Sequence, residues 1–267
     1  MSRISVSGED GREHPTNASA TVNHHQKLKF GRFDVRPFMR LPSPRDYNRR
    51  LSRPPPFSMP DSPMNHQFEV LDKSTCYSGF FRLEKYRLRH ELFAGGWSAE
   101  ISRECLERGH AVAVLLYDPD TDQVVLLEQF RIGALEFPGG PWLVEIVAGI
   151  MDDPDETAEE VARRETLEEA GCEVLDLVPI CRYLVSAGGT SETITLFCGR
   201  IDAKAVASGL GGIASEHEDI QVRVVSRDEA LGLLRAGRIN SAAPIIALQW
   251  LELNQPKLAE RWGSKPA

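Results

Sequence analysis

The sequence is poor in the residues that most often announce a metal or disulfide scaffold. Its five cysteines, Cys76, Cys105, Cys172, Cys181 and Cys198, are scattered without C-x-x-C spacing. An odd and dispersed set argues against a closed disulfide framework and leaves reduced thiols as the reading. The seven histidines form no H-x-x-x-H pair and no Cys/His cluster, which removes the usual imidazole metal sites. Long apolar runs are also missing. No stretch of about 18 apolar residues occurs, and the first thirty residues lack the apolar core of a secretory signal. A cytoplasmic chain without a membrane partner is therefore expected.

What is present is unevenly distributed. Residues 1–60 carry 11 Lys and Arg against 5 Asp and Glu, leaving 20 against 34 in residues 61–267. Residues 1–63 also hold 9 of the 17 prolines, including Pro54, Pro55 and Pro56. Such a segment cannot bury enough apolar surface to offset its ordering entropy, so residues 1–63 are expected to be a disordered basic tail. The globular remainder is acidic. To act on an anionic substrate it needs local arginines or a bound cation.

From residue 64 the pattern becomes regular. Residues 64–108 read as a small antiparallel β subdomain, with strands at 68–71, 80–88 and 89–93, the last closed by Gly95 and Gly96. Residues 110–117 are too continuously apolar for a half-exposed strand and are expected at the centre of a sheet. After a turn at 118–122, residues 123–129 return as a hairpin partner. Further strands are expected at 142–147, 172–185, 192–198 and 219–225. Helices are expected at 156–170, at 227–236 after Ser226, and at 241–254 after Asn240, with Gly171 suited to the left-handed position that closes the first. Hairpins interspersed with helices imply a mixed α/β sheet domain over residues 109–258, followed by a tail at 259–267.

The helix at 156–170 carries the chemical signal. Glu165, Glu168 and Glu169 are related by three and four residues and so share one stripe. Followed backward, that stripe contains Ala158, Val161 and Ala162. The helix thus buries its early turns and aims carboxylates toward the same side at its end. Like charges at this spacing destabilise a helix, and a hard divalent cation reverses the sign. Taken alone, the same glutamates would also fit a solvated acidic face.

Gly149, Glu156 and the run Arg164-Glu165-x-x-Glu168-Glu169-x-Gly171 together resemble the signature box of the Nudix hydrolases. The loop after Gly149 is one residue longer than the pattern, and Thr166 stands where a bulky aliphatic residue is usual. The likeness extends to Tyr77-Ser78-Gly79-Phe80-Phe81, to Glu128-Gln129-Phe130-Arg131 and to Ser186-Ala187-Gly188-Gly189-Thr190-Ser191-Glu192. These segments resemble the ADP-ribose pyrophosphatase branch, although Ala187 occupies a position where that branch carries proline.

The resemblance implies a Nudix α/β/α sandwich preceded by a β-rich domain that contributes to a homodimer. It implies Mg²⁺ as cofactor, with Mn²⁺ as a substitute, held by Glu165, Glu169, Glu218 and the carbonyl of Ala148. Glu168 would support that cluster, and Glu216 would be the general base on a loop made pliant by residues 207–214. Phe80 and Phe81 would meet adenine, Arg103 the nucleotide, and Arg131 the phosphates. Ser186, Gly188 and Glu192 would hold the terminal ribose. The implied activity is hydrolysis of a nucleoside diphosphate sugar, foremost ADP-ribose to AMP and ribose 5-phosphate. GDP-mannose or another nucleotide sugar, capped RNA tethered by the basic tail, and a non-catalytic ADP-ribose sensor remain as alternatives, with nucleic acid not the expected partner.

Overall fold

The computed structural model describes residues 66–213 and 217–263; the tail expected at 1–63 lies outside them. Strands β1 (Phe68–Ser78), β2 (Arg82–His90) and β3 (Ile101–Glu107) form an antiparallel sheet in the order β1-β2-β3. Here one expectation is corrected. Residues 89–93 are not a strand of their own: they finish β2 and enter a turn in which Gly95 and Gly96 both adopt positive φ. The third strand is Ile-Ser-Arg-Glu-Cys-Leu-Glu, whose mostly uncovered side chains leave no alternation of apolar and polar residues to read.

The second sheet has eight strands: β4 (Ala111–Asp118), β5 (Gln123–Phe130), β6 (Trp142–Glu145), β7 (Val147–Ile150), β8 (Asp176–Leu184), β9 (Thr193–Arg200), β10 (Gly209–Gly211) and β11 (Ile220–Ser226). Its main path runs β10-β11-β5-β4-β9-β8, with β6 paired to β5 and β7 to β4. β4 pairs in parallel with β9. All eight residues of β4 are buried, as its unbroken apolar run requires. Helix α1 (Ala158–Ala170) covers one face, packing Val161 and Ala162 with Val112, Val114 and Phe197. Helices α2 (Arg227–Arg235) and α3 (Ala242–Trp262) cover the other, where Leu231 and Leu248 join Ala113, Leu115 and Leu126. This is an α/β/α sandwich around a mixed sheet.

The centre of the sheet is split. β4 and β5 pair only at Leu116, Tyr117 and Asp118, next to their turn, and then diverge. Beyond that point β6 pairs with β5 and β7 with β4, filling the wedge. The single strand expected at 142–147 is therefore two, broken at the buried Ile146. The consequence is functional, because Gly149 comes to lie inside the sheet on the face that α1 covers, next to the Ala148 backbone.

The helix ends follow local chemistry. Thr157 caps α1 and shares a reciprocal capping box with Glu160, so the helix starts after Thr157 rather than at 156. Gly171 closes it in the left-handed conformation at φ 64°. Ser226 caps α2 by accepting the Glu229 N–H. The last helix needs a larger correction. It begins after Ser241, not Asn240, and continues through Pro256 to Trp262, whereas the sequence pattern stops at 254. Pro256 and Glu252, the residue whose carbonyl loses its helical donor, are both exposed, so water can satisfy that carbonyl. A domain boundary at 258 would cut this helix between the buried Leu258 and Ala259.

Trp262 anchors the end of α3. It packs against Tyr117 with ring centroids 6.4 Å apart and donates its indole N–H to Asp176 Oδ2 at 2.8 Å. Replacing it by alanine removes a large buried side chain and leaves Asp176 short of a donor. Trp262→Ala is expected to cost about 3–5 kcal/mol, read as a lowered urea midpoint. An unchanged midpoint would mean that the chain beyond 258 is dispensable to the core.

Candidate active site

The stripe on α1 behaves as its sequence suggests. Ala158, Val161 and Ala162 are buried against the sheet, and the same side then presents Glu165, Glu168 and Glu169. Thr166, the unusual residue of the box, is fully buried and donates its hydroxyl to the Ala162 carbonyl at 2.7 Å. Its polarity is thus satisfied inside the helix, and the register of the glutamates is untouched.

The carboxylates meet the split centre of the sheet. Glu165 presses on Gly149 so closely that a Cβ at that position would collide with its carboxylate. Glu169 is buried, and its Oε2 accepts the Ala148 N–H at 3.0 Å. Glu218 accepts the Ile213 N–H at 3.0 Å. Arg164 ties the group together from outside: it grips both oxygens of Glu156 at 3.0 and 3.2 Å, and its Nη1 reaches Glu165 at 2.7 Å and Glu168 at 3.0 Å. Four acceptors on three carboxylates hold its guanidinium pKa above the ordinary value.

Electrostatics mark the same group. Burial pushes Glu169 up to about 8; the Ala148 N–H opposes the shift, while Glu165 and Glu218 add to it. Glu165 is raised by burial, Arg164 opposes, and Glu168 and Glu218 contribute further. The carboxylates are thus near enough to repel, and Glu165 and Glu168 share the Arg164 Nη1 donor while Glu169 and Glu218 each hold a backbone N–H. Among the described residues no three acidic, histidine or cysteine side chains converge on one point. The donor set is nevertheless all hard oxygen, on a strand whose Gly149 leaves room for no side chain, and the protonation that burial forces on Glu169 is what a cation displaces. These residues fit a hard divalent ion.

Arg131 lies beside this group, bonding Glu145 at 2.7 Å and lowering the Glu169 pKa through its charge. The remaining expected residues cluster elsewhere. Loop 186–192 turns on the Ser186 carbonyl, which accepts from the N–H groups of Gly189 and Thr190; the space around Gly188 is open. Glu192 is buried and meets Arg108 Nη1 at 3.4 Å, and the Arg108 guanidinium lies 5.1 Å over the Phe81 ring. Phe81 stands edge-on to Phe80, which is exposed, as is Arg103 on β3. Phe80 and Arg103 make no ion pair or hydrogen bond to the carboxylate group among the described residues. Glu216 lies outside the described residues.

Sequence reasoning missed the residues that hold the loop. The Leu106 N–H donates to the Gly189 carbonyl, the Thr190 hydroxyl to the Leu106 carbonyl, and the Ser191 hydroxyl to the buried Glu107. The end of β3 therefore shapes a loop more than 80 residues away in the chain. No local pattern could have revealed these contacts.

The family model described as NUDIX domain matches residues 107–249. This chain belongs to the NUDIX family. The ADP-ribose pyrophosphatase of Escherichia coli (strain K12) is 46% identical over 207 residues, which is 78% of this chain and 98% of that protein. The GDP-mannose pyrophosphatase of Cronobacter sakazakii is 37% identical over 153 residues, 57% of this chain and 78% of that protein. A solved structure described as an ADP compounds hydrolase shares the fold, with a TM-score of 0.56 at 18% identity, covering 74% of this chain and 97% of the other. The NUDIX match contains α1, Gly149 and Glu218, so the carboxylate group lies wholly within it.

The raised Glu169 carboxyl links stability to pH. The folded protein keeps this proton up to about 8, whereas the unfolded chain releases it near 4.5. Between those values the folded state binds more protons, so this group lowers stability as pH rises. In chelator, the stability of Glu169→Gln relative to the parent should therefore increase from pH 5 to pH 8. Urea midpoints at the two pH values measure this, and a constant difference would refute the shift.

Proposed function

We propose that this NUDIX pyrophosphohydrolase cleaves the pyrophosphate bond of ADP-ribose to give AMP and ribose 5-phosphate. The observation that carries the reading is the placement of Glu165 against Gly149 and of Glu169 on the Ala148 N–H, with the charges of Glu165 and Glu218 both acting on Glu169. The 46% identity over almost the full length of an ADP-ribose pyrophosphatase supports the substrate. The GDP-mannose pyrophosphatase relative matches less of this chain and at lower identity.

A divalent cation, with Mg²⁺ preferred and Mn²⁺ as a substitute, would supply charge neutralisation on the two phosphates and a more acidic bound water. Glu165, Glu169, Glu218 and the Ala148 carbonyl would hold it. Glu168, joined to Glu165 through Arg164, keeps the carboxylates in register. Arg131 would contact the phosphates, exchanging part of its bond to Glu145 for an oxyanion. Glu216 would take the proton of the attacking water as the new P–O bond forms and the bridging P–O bond breaks. Phe80 and Phe81 offer faces for adenine, with Arg103 beside the nucleotide. Ser186, Gly188 and Glu192 would bind the terminal ribose, with Glu192 oriented by Arg108.

Three-stranded sheet β1-β2-β3 supports a homodimer. All eleven residues of β1 are exposed, and Phe68, Tyr77, Phe80 and Phe93 present large apolar surface. Several large apolar side chains left exposed on one small sheet and its turns are what a partner surface would cover. A second copy covering it would also supply neighbours for the exposed Phe80 and Arg103. No helix among the described residues is long and apolar enough to cross a membrane, which agrees with a cytoplasmic enzyme.

Three measurements test these points. In a Mg²⁺ assay of ADP-ribose, GDP-mannose, NADH, diadenosine polyphosphates and capped RNA, ADP-ribose should have the highest kcat/KM; a faster competitor overturns the substrate. Glu165→Gln and Glu216→Gln should each lose roughly 100-fold or more in kcat, the scale of a removed electrostatic or acid-base group. Gly149→Ala should fold yet lose about 100-fold, because its methyl group displaces Glu165 from its position. Parental activity in that variant would detach Glu165 from the reaction.

A further inference from the structure

On the α1 face of the sheet lies a second group of polar side chains that the carboxylate site does not use. Gly149, Val112, Thr195 and Arg182 are direct neighbours across β7, β4, β9 and β8. Residues opposite one another in adjacent strands point to the same face, and Val112 belongs to the core beneath α1. Arg182 therefore faces the carboxylate side, roughly 14 Å along the row from Gly149 at the usual strand spacing. Its side chain turns toward the root of loop 186–192, where Nε donates to the Thr193 hydroxyl at 3.1 Å.

A directed chain of hydrogen bonds follows. His110 Nδ1 lies 3.2 Å from the Thr193 N–H, which can only donate, and 2.9 Å from the Thr193 hydroxyl. Nδ1 is therefore the acceptor, and the neutral ring carries its proton on Nε2. Burial and the Arg182 charge both hold the imidazole pKa below its ordinary value, in keeping with the neutral form. Thr193 accepts from Arg182 and donates to His110. What remains is a set of donors alone: the Nη1 and Nη2 groups of Arg182 and the Nε2–H of His110. None has a hydrogen-bond or ion-pair partner among the described residues. Glu107, whose charge His110 feels, is committed to Ser191 and Tyr86.

The Arg182 guanidinium is partly buried and has no carboxylate partner among the described residues, in a globular part that carries 34 acidic against 20 basic residues. A planar fork of unused donors matches the oxygens of phosphate. We propose that Arg182, with Thr193 and His110, forms an oxyanion subsite at the root of loop 186–192. It would take a phosphate group carried on the sugar half of the substrate or free inorganic phosphate. The substrate-borne source rests on the reading that loop 186–192 holds the terminal sugar; the binding of phosphate itself does not.

The test begins with the full chain in chelator, titrated with inorganic phosphate while the Arg182 Nε–H and His110 ring signals are followed by NMR. Both signals should shift saturably with phosphate and not with chloride at equal ionic strength. In Arg182→Met the His110 shift should require at least about tenfold more phosphate, the loss expected for charge-assisted hydrogen bonds. Arg182→Lys should fall between the two, and it carries the comparison if the methionine variant does not fold. Equal response to chloride, or parental affinity in the variant, overturns the subsite.

Kinetics in phosphate-free buffer then separate the sources. If the oxyanion belongs to the substrate, Arg182→Met should raise KM about tenfold for an ADP-ribose phosphorylated on its terminal ribose and leave ADP-ribose itself unchanged. If free phosphate is the ligand, neither KM moves, but the variant loses the response of activity to added phosphate. Failure to hydrolyse ADP-ribose at all would count against the proposed activity, while the chelator titration would still decide the subsite.

Discussion

The approach of Glu165 to Gly149 is the contact around which the site is arranged. It requires a backbone without a side chain, a strand that reaches the middle of the sheet, and a helix packed directly upon it. The divergence of β4 from β5 supplies the strand, because β7 can enter only where that pair opens. The apolar half of α1 supplies the packing. Once the helix is seated, its last turns bring carboxylates into a space already near Ala148 and Glu218, where they repel one another. Burial at the sheet centre thus both assembles the charge and makes it costly, which is the condition under which binding a cation is favourable.

A second dependence links the two sheets. Loop 186–192 joins β8 to β9, but its shape is set from outside by Leu106, Glu107 and Arg108 at the end of β3. Arg108 contacts Phe81 and Glu192 together, so it spans the surfaces proposed above for the two ends of the substrate. The three-stranded sheet is therefore part of the site's scaffold as well as a candidate dimer face.

Much of the core was legible in the linear order of residues. The buried run of β4 announced a central strand, and Ser226 and Gly171 announced helix ends, because each depends on neighbours within a few positions. Errors arose where distant contacts outweighed local pattern. Residues 142–147 look like one strand, yet two different partners divide them at Ile146. Pro256 looks like a helix terminator, yet burial of Leu258, Ala259 and Trp262 carries α3 past it. β3 gave no periodic signal because few of its side chains are covered.

The site divides along the same line. Glu165, Glu168 and Glu169 are set on one stripe by helical spacing alone, and the box around them, from Gly149 to Gly171, identifies the family without coordinates. Arg164 clamps Glu165 and Glu168 within that helix and Glu156 just before it, whereas Arg108 against Glu192 and the chain from Arg182 through Thr193 to His110 depend on strand order and register. Sequence by itself determined the chemistry that the helix carries, because a 3.6-residue period is a property of the chain. Only the tertiary structure decided which charges are paired and which donors are left over, because pairing is a matter of distance between residues that the chain keeps far apart.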